Sequence, residues 1–253
     1  MKQALLCKTF LAVLVLVLGI PGLSSGTEPE ERADILWRER GDIGKAAEGI
    51  TAYEELLGKK PTDHEILLRL SRLHYWIGQN LESTNEKEAL SHYGKGREYG
   101  KKASEAAPDR PGGYFFEAAN LGRENNLKGT FSNLWGISTV RSLNEKTASI
   151  DPEFLYRGPD RFLCALYTKL PGILGGSASK AIEFGKRAVG AFPNYAGNRF
   201  FLAEAYVKDG KNDLARQELE AAAAIPDDAH PDVIPEQRME KKRAEALLKR
   251  IGK

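Results

Sequence analysis

The stretch 199–226, RFFLAEAYVKDGKNDLARQELEAAAAIP, restricts the fold more than any other part of the chain. Leu202, Ala203 and Tyr206 lie on one face of a first helix, Gly210 falls in a turn, and Ala215, Leu219 and Ala222 follow at four- and three-residue steps on one face of a second helix. Pro226 cannot continue that second helix. Ala203 and Ala215 are small where the two helices would face each other, so their backbones can approach closely. The unit is a helical hairpin that cannot bury its apolar face alone and needs neighbours of the same kind.

Those neighbours are legible upstream. Ala181, Gly185, Ala188 and Pro193 repeat the small-residue spacing, as do Gly96, Gly100, Ala103 and Pro108; Val140, Asn144, Thr147 and Pro152 form a weaker copy, and Ala46 with Pro61 another. The closing prolines stand at 61, 108, 152, 193 and 226, so the intervals shrink from 47 to 33 residues towards the period of about 34 of a tetratricopeptide repeat (TPR). The expected fold is all-α: a TPR-like superhelix of antiparallel helix pairs with a C-terminal capping helix. Hydrophobic residues at 42% and charged residues at 28% suit a folded chain, and Asn-Gly hairpin signals are absent.

Two segments are expected, 1–26 as a secretory signal peptide and 27–253 as the helical domain. Lys2 and Lys8 precede a charge-free apolar run over 10–20, and Pro21-Gly22 with Ser24-Ser25-Gly26 supplies a breaker and small residues. The apolar run is shorter than the roughly 20 residues of a membrane span, so membrane contact is expected only if the segment stays uncleaved. Removing Lys2 and Lys8 from 37 basic residues leaves 35 against 35 acidic ones, a balance that argues against nucleic acid as a partner. Cys164 would then be the one remaining cysteine, in an apolar run that reads as core. Export of a chain without an internal disulfide fits a bacterial periplasm at least as well as a eukaryotic extracellular setting.

The coarse helix reading pairs 28–40 with 45–57, 64–77 with 86–107, 112–122 with 133–150 and 160–169 with 178–191, the last behind Ser177 as N-cap. It leaves 79–85 as a polar insertion and 123–130 as a loop, and ends on a helix over 236–251 whose face Arg238, Lys241, Lys242, Glu245 suits the solvent side of an end cap.

The run from Arg161 through Tyr167, then Lys169-Leu170-Pro171, Gly175-Gly176 and Lys180-Ala181, resembles the TatT family, the periplasmic TPR components associated with tripartite (TRAP) transporters. Gly112-Gly113-Tyr114-Phe115-Phe116 with Asn120 and Gly122 is similar to the same family, and the resemblance spans about 60–225. A weaker similarity runs to the regulator-of-microtubule-dynamics proteins, whose cytoskeletal role sits badly with a secretory start. The TatT resemblance implies a non-catalytic protein that associates with a periplasmic solute-binding protein and whose fold holds or passes a small, hydrophobic ligand. Family members are often lipid-anchored, whereas no cysteine follows the apolar run here.

In a TPR superhelix the first helix of each pair lines the concave face. Offsets of about −3, +1 and +4 from the small positions Ser71, Ala119, Cys164 and Ala203 give a candidate partner or ligand groove of Leu68, Arg72, Tyr75, Phe116, Asn120, Arg123, Arg161, Phe200 and Glu204. Aromatics with a few orienting polar groups suit such a site, and Asn120 with Arg123 are its strongest polar candidates. Phe200 and Glu204 at the last groove positions disfavour recognition of an acidic peptide terminus.

No catalytic constellation is found. The stretch LPGILGGS at 170–177 lacks the Gly-Lys-Ser/Thr ending of a phosphate loop and reads as a tight turn. His64, His74, His92 and His230 have no metal-ligand spacing. No cofactor and no metal are expected. The alternative to a transporter component is a general protein-interaction scaffold in envelope or secretion assembly.

Overall fold

The computed structural model describes residues 28–129 and 132–252; the expected signal segment 1–26 lies outside them. Within them the chain forms eleven α-helices: α1 (Pro29–Arg38), α2 (Ile43–Lys59), α3 (His64–Leu81), α4 (Glu86–Ala106), α5 (Pro111–Lys128), α6 (Ser132–Ile150), α7 (Phe154–Lys169), α8 (Ala178–Ala191), α9 (Ala196–Lys208), α10 (Asn212–Ala224) and α11 (Ile234–Ile251). Short 3-10 turns at Gly172–Leu174 and Pro231–Val233 precede α8 and α11.

Side-chain caps set four of the starts. Asp42 accepts from the Lys45 amide, Asp63 from those of Glu65 and Ile66, and Ser177 from that of Lys180, each satisfying a first-turn N–H that has no intrahelical partner. Asn85 and Glu88 form a reciprocal cap: the Glu88 amide donates to Asn85 Oδ1, and Asn85 Nδ2 to Glu88 Oε2. Gly210, at φ 73°, makes the left-handed step between α9 and α10 that other residues adopt only at a cost.

Each helix packs on the next, and α3, α5, α7, α9 and α11 also pack in series on one another. α3, α5, α7, α9 and α11 therefore form a continuous inner layer. α4 and α5 meet almost backbone to backbone: a Cβ on Gly113 would lie 2.3 Å from the Ser104 nitrogen. Two cores form. One joins α1, α2 and α3 through Trp37, Tyr53, Leu70 and Trp76; the other joins α7 to α11 through Cys164, Leu202, Leu219 and Leu247.

Several expectations need correction. The polar stretch 79–85 is no insertion up to Leu81, because α3 runs through it. The expected loop 123–130 is helix as far as Lys128. Before Gly158, Leu155, Tyr156 and Arg157 take left-handed φ values of 47°, 58° and 62°, so a left-handed turn leads into the regular part of α7. The C-terminal helix does more than cap the stack. Arg40, 3% exposed, donates to both oxygens of Glu236 at 3.2 and 2.7 Å and to the Asp232 carbonyl at 2.9 Å. Met239 packs against the N-terminal core. The last helix thus touches the first unit, and the superhelix closes on itself.

Candidate functional site

Closure leaves a partly open cavity of about 270 Å³ between the helices. Its walls come from α3, α5, α6, α7, α9 and α11, and its floor is apolar, with Phe115, Phe116, Ile137, Val140, Phe162 and Leu166. The aromatic rings interlock: Phe115 sits edge-on to Phe116 at 5.2 Å, and Tyr75 edge-on to Phe116 at 6.1 Å. Edge-to-face contacts of this kind add rigidity beyond area burial. A second depression, lined by Glu82, Phe200, Glu204 and Arg243, shares Arg123, Lys169 and Phe201 with the cavity. Those three residues form the neck between the chamber and its outer vestibule.

The two ends of the chamber differ in their charge pairing. Behind the closure end, which Arg72 alone of the three lines, the guanidinium groups of Arg40, Arg69 and Arg72 lie 4.1, 4.1 and 4.5 Å from the Trp37 ring, within the reach of cation–π attraction. Arg72 also approaches Glu236 at 3.8 Å, and burial pushes its guanidinium down to about 10 against the pull of that carboxylate. At the neck, Arg123 pairs with Glu82 at 3.3 Å and Arg243 with Glu240 at 3.0 Å. Lys169 and Glu204 face the same space, and neither makes an ion pair within 4.0 Å among the described residues. Burial in the wall pushes the Lys169 ammonium down, with Arg123 adding to the effect and Glu204 opposing it. Burial likewise raises the Glu204 carboxyl, with Lys169 opposing. The Lys169 side chain is nonetheless exposed, because what it faces is the cavity rather than another side chain.

Of the nine groove candidates, Arg72, Tyr75, Phe116, Arg123 and Arg161 line the chamber, while Phe200 and Glu204 join Arg123 in the vestibule. Asn120 does not face this space. It is fully buried between helices, and its amide donates to the Phe116 carbonyl at 2.8 Å and to the Ser71 hydroxyl at 3.3 Å. Its position fits the groove offsets, but the glycine at 96 leaves room that the side chain fills instead: a Cβ there would lie 2.3 Å from Asn120 Oδ1. Leu68 packs over Gly112 and lies outside both spaces. Arg161 reaches the chamber, but its Nη1 is engaged by the Leu155 and Tyr156 carbonyls at 3.1 and 3.2 Å and by Asn198 Oδ1 at 2.9 Å. It splints the left-handed turn.

The sequence model of the TRAP transporter T-component family matches residues 114–253. The chain belongs to the TRAP transporter T-component family. The match reaches further towards the C-terminus than the resemblance over 60–225 and takes in α11, the helix that closes the chamber. A thermophilic TPR protein of Thermus thermophilus, TTC0263, is similar in structure at a TM-score of 0.62 and 18% identity, over 87% of this chain and 100% of that one. This establishes the TPR-type fold. A structure of MamA aligns over 79% of this chain and 92% of its own at 15% identity and a TM-score of 0.41, too low to bear on the fold. No curated protein matches the chain.

Within this T component, sequence reasoning missed the contribution of α11 and the neck lysine. Val233, Glu236, Met239 and Glu240 line the chamber, although the polar face read for that helix pointed to a cap. Phe162, Leu166 and Lys169 recur at four- and three-residue steps, the spacing of one helix face. That signal was present, but the groove offsets counted from Cys164 passed over it.

Proposed function

We propose that the mature chain is a non-catalytic periplasmic component of a TRAP-type transporter that docks a protein partner and holds or passes a small apolar ligand in its central chamber. Membership of the T-component family supports the transporter and the non-enzymatic reading. The observation that carries the ligand reading is the partly open, aromatic-floored cavity of about 270 Å³, just below the range of small-molecule sites of roughly 300–1,000 Å³. The partner that fits is a periplasmic solute-binding protein. Among the described residues no helix is long and apolar enough to cross a membrane, which agrees with a component that works beside the transporter's membrane subunits. The expected export signal at 1–26 supplies the route.

Native mass spectrometry of the protein captured from its own periplasm tests both parts. A co-isolated solute-binding protein, crosslinked to this chain, supports the transporter role. Recovery of envelope-assembly proteins in its place overturns that role in favour of a general scaffold. A small bound mass that leaves when Phe116 is replaced by Asp supports the chamber as the ligand site.

A further inference from the structure

Of the two cations shared by chamber and vestibule, Arg123 and Lys169, only Arg123 makes an ion pair among the described residues. Arg123 and Arg243 are held by Glu82 and Glu240, whereas Lys169 faces the opening where chamber and vestibule meet. Its position at the end of α7 would ordinarily let it satisfy the terminal carbonyls of that helix. Lys208 takes that task instead, donating from Nζ to the carbonyls of Tyr167, Thr168 and Leu170, the last at 2.8 Å. The Lys169 ammonium is thereby left to the cavity, next to an apolar chamber on one side and solvent on the other.

We infer that the chamber takes an amphiphile with a single carboxylate head, the apolar chain lying on the Phe116–Phe162 floor and the head held by Lys169 at the neck. The choice of one negative charge follows from the surrounding acids. Glu82, Glu204 and Glu240 stand against Arg123, Lys169, Arg243 and Arg250, a surplus of one cation that suits one negative charge and not a dianion such as a phosphate monoester. A cationic head is disfavoured because Arg123 stands beside Lys169. Chamber size limits the chain: 270 Å³ is room for about nine water-sized groups. The inference rests on the ligand-carrying reading above and adds the chemistry of the head.

Calorimetric titration of the periplasmic protein, stripped of bound ligand, with octanoate, octan-1-ol and octyltrimethylammonium tests it. The expected result is octanoate binding about tenfold or more tightly than octan-1-ol, with the ammonium weakest. Shortening the chain from octanoate to hexanoate should weaken binding about fourfold per methylene. Lys169→Met should bring octanoate down to the affinity of octan-1-ol while leaving the alcohol unchanged, and Lys169→Arg should restore the preference. Equal affinity for acid and alcohol, or an equal loss of both in Lys169→Met, overturns the head-group assignment and leaves the apolar chamber standing. Failure of all three probes to bind overturns the ligand-carrying reading itself and the head assignment with it.

Discussion

The buried His74 and half-buried His92 place two imidazole Nδ1 atoms 2.9 Å apart, so one must donate and the other accept, and both cannot be charged. His74 also stacks on Tyr99 at 5.7 Å, and its Nε2 is buried without a partner. Burial pushes the His74 imidazole from its ordinary 6.5 down to about 3, with His92 and Lys95 acting in the same sense, and His92 is lowered too. An imidazole that holds its proton less tightly when folded favours the folded chain fully above pH 6.5. That advantage is lost as the pH falls from there towards 3. Urea unfolding at pH 7 and pH 4 should show an acid loss about 2 kcal/mol larger for the wild type than for His74→Phe; equal losses would show that the pair does not couple to folding. Arg161 leads to a second test. Arg161→Met removes the donor that ties Leu155, Tyr156 and Asn198 together, and should cost about 2–3 kcal/mol in urea unfolding because buried acceptors lose a charged partner. At this scale the sequence was a partial guide. It identified Cys164 as core, and it is fully buried. It could not separate Asn120 from Arg123, because both lie on the inward side of α5 and only the glycine at 96 across the interface decides which of them is swallowed by the contact.

At the scale of elements, the sequence shows starts better than ends. Ser177 was legible because capping acts locally. The end of α5 was not, because Arg123, Glu124, Asn125 and Asn126 look like a loop by polarity. The helix persists there because Glu124 is buried and paired with Arg97 at 3.2 Å and with Lys128. The first backbone break is Gly129, at φ 83°. Small residues carry the packing information more directly. Gly113→Ala forces a Cβ into the α4 backbone and should destabilise by about 3 kcal/mol. Gly94→Ala, on the same pair of helices with nothing within 4 Å, should stabilise by about 0.5–1 kcal/mol through helix propensity. Thermal unfolding of both variants separates close approach from intrinsic propensity; a similar change in both would remove the packing argument for α4 and α5.

Closure of the whole molecule is the feature that local patterns do not encode, since Arg40 and Glu236 are 196 residues apart. Repeat spacing predicts an open stack with a capped end; the contact between the last helix and the first unit converts it into a chamber. If ligands enter through the neck, fixing that contact should leave binding intact; if they enter by α11 swinging away, fixing it should block them. The neck is the expected route, because Lys169 and Arg123 line both the chamber and the vestibule. Gly41 and Pro235 offer a direct way to fix the contact. A Cβ built at Gly41 lies 3.7 Å from that of Pro235, within the roughly 3.5–4.5 Å of a disulfide. Gly41→Cys with Pro235→Cys should therefore crosslink under oxidation, and Cys164, fully buried, should not compete. So long a loop should gain up to about 5 kcal/mol in stability. Stopped-flow binding of octanoate to the oxidised and reduced forms should then give the same association rate within about twofold, whereas a rate that collapses on oxidation would place the entrance at α11. The crosslinked form also removes ring opening as an explanation for any effect of Lys169→Met, since the chamber wall is then covalently fixed and only the head-group contact has changed.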